Sequence, residues 1–142
     1  MAGLLSLLGT GSVVVVVVGF VTCDARASAS PVGHPIPQVE PSAGALVATD
    51  DPALVGIRPL PADAWSRGQS DDALIVQFWL GSPDCSGVHA VANETADSVT
   101  VQLQEGTHPA AVHRMCTMIV VPATLEVRLQ APLGSRTVLS AF

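Results

Sequence analysis

Residues 73–80, ALIVQFWL, form the longest apolar run of the chain after its N-terminal segment. In an extended strand the even-numbered side chains of this run share one face, and Ile75 and Trp79 lie on the other. Both faces are apolar apart from Gln77. Such a strand needs cover on both sides, because an uncovered apolar face leaves an exposed patch in water. The run is therefore predicted to be the central strand of a small β domain.

Two later stretches, 98–105 (SVTVQLQE) and 123–129 (ATLEVRL), alternate apolar and polar side chains. This alternation is typical of half-buried antiparallel strands. A helical period is not evident, although a helix over 108–114 is an alternative there. Together these features predict an all-β fold, a small antiparallel β-sandwich that is either immunoglobulin-like or a partly open barrel. Further short strands are predicted at 54–57, 88–92, 115–121 and 137–139.

Two segments are predicted to lie outside the strands. Residues 30–52 contain five prolines among Ser, Ala and Gly. Proline fixes φ and removes a backbone donor, so this segment is predicted to be an extended linker ahead of a β domain at 53–142. Residues 63–72, DAWSRGQSDD, are polar apart from Trp65. They are predicted to form a loop from which Trp65 folds back over the core.

The charge balance argues against nucleic acid as a partner. The 142 residues include six arginines, no lysine and twelve acidic residues, for a net charge of -6. A protein of this charge has no basic stripe to neutralise a phosphate backbone. Tyrosine is absent, and Phe and Trp together number five, so side chains that could stack on bases are scarce as well.

The N-terminal segment predicts export. Residues 3–22 carry no charged side chain, and twenty apolar residues in a helix span the hydrocarbon core of a bilayer, about 30 Å thick. Ala27-Ser28-Ala29 has the A-x-A form of a signal-peptidase site, so 1–29 is predicted to be a signal peptide. The alternatives are retention as a membrane anchor and lipidation at Cys23. All three place the rest of the chain outside the cytoplasmic membrane.

The cysteines of the β domain, Cys85 and Cys116, support two alternatives. In an exported chain two cysteines are usually joined, so a disulfide is predicted. The alternative is an extracytoplasmic metal-binding or metal-delivery protein. Cys85-x3-His89 and His113-x2-Cys116 have internal spacings that suit tetrahedral zinc, although the 23 residues between the halves exceed the usual spacing of about 12 to 15.

The order of several motifs resembles a known group of proteins. A Gly-x-x-x-Cys turn at 81–85 is followed by ETADSVTV (94–101), a second cysteine and PLGSRTV (132–138). Together with the absence of lysine and the wealth of Ala, Val and Gly, this set resembles uncharacterised small exported proteins and lipoproteins of actinobacteria, the mycobacterial type included. The resemblance covers about residues 53–140. It implies an extracytoplasmic β-sandwich and transfers no site residues.

These features favour a non-catalytic binding or accessory module of the cell envelope. The chain has no nucleophile elbow of the G-x-S-x-G form and no cofactor signature, so neither an enzyme nor a cofactor is predicted. The predicted contact surface for an envelope protein partner is the second face of the central strand, Ile75 and Trp79, with Val91. The alternative is that the proline-rich segment or Trp65 covers this face. Contact with a membrane is predicted only through the N-terminal segment, if that segment is retained or lipidated.

Overall fold

The computed structural model of the protein describes residues 32–142. The predicted signal or anchor segment, 1–29, and Cys23 lie outside the described residues, so the fate of that segment stays a prediction. In the described part of the chain, no helix has the length and apolar character needed to cross a membrane.

Residues 32–142 are all-β, as the alternating stretches predict. Their secondary structure consists of nine strands and one turn of 3-10 helix, Pro109–Ala111, inside the segment for which a helix was the alternative. The strands are β1 (His34–Pro35), β2 (Leu46–Ala48), β3 (Val55–Leu60), β4 (Ala64–Arg67), β5 (Ala73–Gly81), β6 (Ser86–Glu94), β7 (Ser98–Thr107), β8 (Val120–Arg128) and β9 (Thr137–Ser140).

The strands form two sheets that enclose one core. One sheet has the order β2-β8-β5-β4. In the other sheet, β6 pairs with one edge of β7. Strands β3 and β9 pair with different parts of the opposite edge of β7, and β1 pairs with β9. Most pairs are antiparallel, but β2 runs parallel to β8 and β9 runs parallel to β7. The predicted β-sandwich is confirmed, with mixed sheets.

Strand β5 lies inside its sheet, as predicted for residues 73–80. It pairs with β8 along its full length and with β4 over its first half. Its even-numbered side chains are buried and share the core with the inward side chains of β7. Burial of each such side chain contributes about 1.5–3 kcal/mol, so these two strands anchor the sandwich. The buried residues of the two strands are Leu74, Val76, Phe78, Leu80, Val99, Val101 and Leu103.

The proline-rich segment differs from the linker prediction. It contributes β1 and β2, and Ile36 is buried in the core. The Trp65 N–H donates to the carbonyl oxygen of Pro37, and the Val39 N–H donates to that of Trp65, so the segment also pairs alongside β4. Edge positions tolerate proline because no neighbouring strand needs its missing N–H. The sandwich therefore begins well before residue 53.

Trp65 closes the core as predicted, but it does so from a strand. Ala64–Arg67 form β4, and the predicted loop is limited to 68–72. The Trp65 side chain is 8% exposed, and its Nε1–H donates to the carbonyl oxygen of Ile36 at 3.1 Å. Four residues are too few for an alternating pattern to reveal a strand, which is why the sequence indicated a loop here.

Candidate partner-binding surface

Trp79 is the large exposed side chain at the centre of the candidate surface. It lies on the outer face of β5, and 56% of its area is exposed. Strand β4 begins at Ala64, opposite Gln77, so none of the strands within residues 32–142 flanks Trp79 on that side. On the other side Pro122 of β8 lies directly opposite Trp79. The indole is therefore presented to solvent by a strand whose other face is the core.

Apolar surface continues from Trp79 along β8. Val120 lies two residues before Pro122 on the same face and is 68% exposed. As a diagonal cross-strand neighbour, Val120 is within reach of an aromatic side chain at position 79. Met118 and Ile119, which precede Val120, are exposed as well. We call Trp79, Val120 and Pro122 the Trp79 patch.

An exposed loop, 112–119, leads into the Trp79 patch. Cys116 of this loop forms a disulfide with buried Cys85, with Cα atoms 6.2 Å apart, so the predicted bond is confirmed. The hydroxyls of Thr117 and Ser82 are 2.9 Å apart and form a second link. These two links tie residues 116 and 117 of the loop to the body of the protein, while the apolar side chains beside them stay exposed.

The prediction of a strand over 115–121 is wrong for most of its length. The strand begins only at Val120, and Met115 and Met118 are fully exposed. It also continues through Pro122 instead of ending there. Proline fits at this point because β2 pairs with β8 only from Ala123 onward, which leaves the edge of β8 open at Pro122. The apolar run thus belongs mainly to the surface.

A groove of about 450 Å³ separates the exposed loop from the strands beside it. Ile119 and Val120 line it on one side, and Arg58 and Glu105 line it on the other. The Glu105 carboxylate is buried and accepts bonds from the Gly81 N–H at 3.1 Å and from the Arg58 guanidinium at 2.8 Å. The Arg58 side chain itself is 73% exposed. The groove therefore offers a partner an apolar wall and one accessible cation.

The structure does not bring the three predicted contact residues together. Ile75 shares the outer face of β5 with Trp79 but is half-buried, and Gln77 lies between them. The Gln77 amide donates to the carbonyl oxygen of Val39. Val91 is exposed on β6, which belongs to the other sheet, and it faces away from the core that Val88 enters. Of the three, Trp79 alone lies in the Trp79 patch.

The proline-rich segment covers part of the outer face of β5. Val39 lies beside β4 at one edge of the sheet, and β2 pairs at the opposite edge, so residues 40–45 cross the outer face between them. Ser42 and Ala45 line a small cavity, about 120 Å³, together with Trp79. The segment therefore lies beside Gln77 and Trp79 and leaves more than half of Trp79 exposed.

The alternative metal set, Cys85, His89, His113 and Cys116, is not assembled. The two sulfurs are bonded to each other, so neither is the thiolate that zinc requires. His89 contacts Asp50, and His113 is exposed. Among residues 32–142, no group of three or more His, Cys, Asp or Glu side chains is arranged to hold a metal ion.

Two aspartate–histidine pairs hold residues 50 and 51 against the sheet that contains β6 and β7. His89 Nδ1 lies 3.0 Å from Asp50 Oδ1, and His108 Nδ1 lies 3.1 Å from Asp51 Oδ2. The hydrogen bond from the Ala53 N–H, with that from His108, lowers the pKa of Asp51 below its usual value of 3.8, against the opposing effect of burial. Sequence reasoning missed these pairs because 39 and 57 residues separate the partners.

Comparison with known proteins assigns no relative. No family model matches the sequence, and no curated protein and no solved structure matches it either. The surface around Trp79 must therefore be interpreted from its own geometry and chemistry.

Proposed function

We propose that this protein is an exported, non-catalytic binding or accessory module of the cell envelope, and that it docks a protein partner through the Trp79 patch. The observation that carries the proposal is the exposure of 56% of Trp79 beside exposed Val120. Contiguous exposed apolar side chains are typical of interaction sites, and tryptophan is enriched among the residues that dominate binding energy.

The loop that carries Cys116 supports the same surface. Its apolar side chains, Met118 and Ile119, lie next to Val120 in the sequence and are exposed. A disulfide holds this loop in place, so a partner that binds there meets a pre-organised surface. Methionine side chains adapt their shape to a partner at low cost, which suits a docking surface.

Two observations support the extracytoplasmic location. Disulfides persist mainly in oxidising compartments outside the cytoplasm, and the bond between Cys85 and Cys116 is consistent with such a compartment. The uncharged segment 3–22, followed by an A-x-A site, has the order of an export signal. If that segment is retained, or if Cys23 is lipidated, the module is tethered to the membrane.

Trp79→Ser tests the docking surface, with Val91→Ser as the matched control. Both substitutions remove an exposed apolar side chain from a strand, but they do so on different sheets. We expect W79S to lose most of the co-purification with its envelope partner and to keep its melting temperature nearly unchanged, because more than half of Trp79 is exposed. V91S should retain the partner. A large fall in the melting temperature of W79S, or equal loss of the partner in V91S, would contradict the proposal.

A further inference from the structure

Strand β6 (Ser86–Glu94) is an edge strand with one open side. Among the strands of residues 32–142, β7 alone pairs with it. The His108 N–H donates to the carbonyl oxygen of Cys85, and the Thr95 N–H donates to that of Ser98. Opposite residues of an antiparallel ladder alternate between pairs that exchange main-chain hydrogen bonds and pairs that do not. These two bonds show that the odd-numbered residues of β6 belong to the hydrogen-bonded pairs. The main-chain groups of odd-numbered β6 residues face β7, and those of even-numbered residues face the open side.

Residues 50 and 51 close the first half of this open side. The Asp51 N–H donates to the carbonyl oxygen of Val88 at 2.9 Å, and the Asp50 carboxylate accepts the Ala90 N–H at 2.8 Å. Beyond Ala90, no segment within residues 32–142 pairs with the open side of β6. The unpaired groups there are the carbonyl oxygen of Ala90, the N–H and carbonyl oxygen of Ala92, and the N–H of Glu94.

Residues 90–93 of the open half lack the features that usually protect a strand edge, and Glu94 at its end is the one charged residue there. Natural edges are guarded by lysine, proline, bulges or inward-pointing charges. Residues 90–93, AVAN, include no charged residue and no proline, and their pairing with β7 continues without a register shift. The inward side chains at this edge, Ala90 and Ala92, are small and half-buried. Their size leaves room for another chain to approach the edge closely.

A groove of about 320 Å³ runs beside the open half of β6. It is bounded by Ala90 and Ala92 on one side and by the end of β8 on the other, where β2 no longer covers that strand. Its apolar lining includes Val127. The charged side chains that line it are three carboxylates and one guanidinium, those of Asp50, Glu94, Glu126 and Arg128.

We propose that this edge binds an extended segment of another protein, added to β6 as a further strand, and that the segment carries lysine or arginine. Unpaired main-chain groups at strand spacing are matched by an extended chain, and pockets beside the edge select its side chains. Glu126 is paired with Arg128, and Glu94 with Arg136, so one net negative charge remains beside the edge. Together with the net charge of -6 it favours basic side chains. A second copy of this protein would bring the same carboxylates and its own net charge of -6, which disfavours self-pairing.

Ala92→Pro tests the edge without breaking the ladder. The Ala92 N–H faces the open side, so proline removes a binding donor and no bond to β7. Asn93→Thr is the matched control, because the Asn93 main chain faces β7 and its side chain is exposed. The whole chain is used to select binders from a display library of random dodecapeptides. Affinity is then measured for wild type and both variants, and amide hydrogen exchange is measured with the best peptide.

We expect the selected peptides to be rich in Lys or Arg and to protect the amides of Ala92 and Glu94 from exchange. One lost hydrogen bond should weaken binding to A92P about tenfold, and N93T should bind as wild type does. Selection of no peptide, unchanged affinity in A92P, or protection at another strand would overturn the proposal. A wild type that sediments as a dimer, with A92P monomeric, would assign the edge to a second copy and overturn it too. This test is independent of the Trp79 patch, which lies on the other sheet.

Discussion

The carboxylate of Glu105, on β7, accepts a hydrogen bond from the main-chain N–H of Gly81, on β5, at 3.1 Å, and so links the two sheets. The main-chain groups of odd-numbered β5 residues point toward β4, but β4 begins at Ala64, opposite Gln77, and does not reach Gly81. The Gly81 N–H therefore has no strand partner, and the buried carboxylate takes that place. This link lies beside the disulfide, at the end of the sandwich that carries the Trp79 patch.

Replacing Glu105 tests this link between the sheets. Glu105→Ala leaves the Gly81 N–H without its acceptor, so we expect the free energy of unfolding in urea to fall by about 1–3 kcal/mol. Glu105→Gln keeps an acceptor oxygen and should cost less. Arg58→Ala should cost less than Glu105→Ala, because the guanidinium is mostly exposed and the Gly81 N–H keeps its acceptor. Equal losses in E105A and R58A would show that the ion pair, and not the bond to Gly81, supplies the stability.

Removing the disulfide should destabilise the domain strongly. The bond joins residues 31 positions apart, and the chain-entropy model assigns about 3–4 kcal/mol to a loop of this size. We expect the double variant C85A/C116A to lose that amount of unfolding free energy, measured in urea without reductant. The native oxidised protein should yield no free thiol from Cys85 or Cys116, and reduction after unfolding should release two. Two reactive thiols in the native protein would contradict the bond.

Substitution of the two tryptophans should change the free energy of unfolding by different amounts. Trp65→Phe removes a buried hydrogen bond to Ile36, so we expect a loss of about 1–3 kcal/mol in unfolding free energy. Trp79→Phe should change it by less than about 0.5 kcal/mol, because the side chain is exposed. Fluorescence checks the assignment. Acrylamide should quench the remaining tryptophan efficiently in W65F and poorly in W79F, and the reverse order would contradict the burial of Trp65.

Glu94 should make stability fall in acid. Its burial opposes ionisation, but the hydrogen bonds from the Gln130 N–H and the Arg136 guanidinium outweigh that effect and lower the pKa below 4.5. A carboxyl whose pKa is lowered by folding stabilises the protein fully above its unfolded pKa, and this stability is lost as the pH falls through its folded pKa. We expect unfolding free energy to decline below about pH 4.5, and to decline less steeply in Glu94→Gln. Glu40→Gln, at an exposed carboxyl, should keep the wild-type slope.

Much of the fold follows from local patterns in the sequence. Residues 73–80, 98–105 and 123–129 form strands where predicted, because each has an apolar face that burial stabilises. The prediction was wrong over most of 115–121, where an apolar run is held on the surface by the bond from Cys116 to Cys85. It also missed the packing of Ile36, since one buried side chain between prolines has no periodicity.

The candidate site was predictable only in part. Trp79 was identified because the alternation of a strand places it on the face opposite the even-numbered core residues. Its exposure depends on where β4 begins, at Ala64, and on the path of residues 40–45, which are long-range features. The open edge of β6 likewise depends on Asp50, which lies 40 residues away from the Ala90 amide that it binds. No local pattern encodes either feature.

Site-specific photo-crosslinking in the envelope of the native host tests the docking role of Trp79 most directly. A photoreactive phenylalanine analogue is placed at position 79 in one variant and at position 91 in the other, since both sites are exposed and lie on different sheets. We expect a discrete adduct with one envelope protein from position 79 that position 91 does not give. The absence of an adduct at 79, or the same adduct from both positions, would contradict docking through the Trp79 patch.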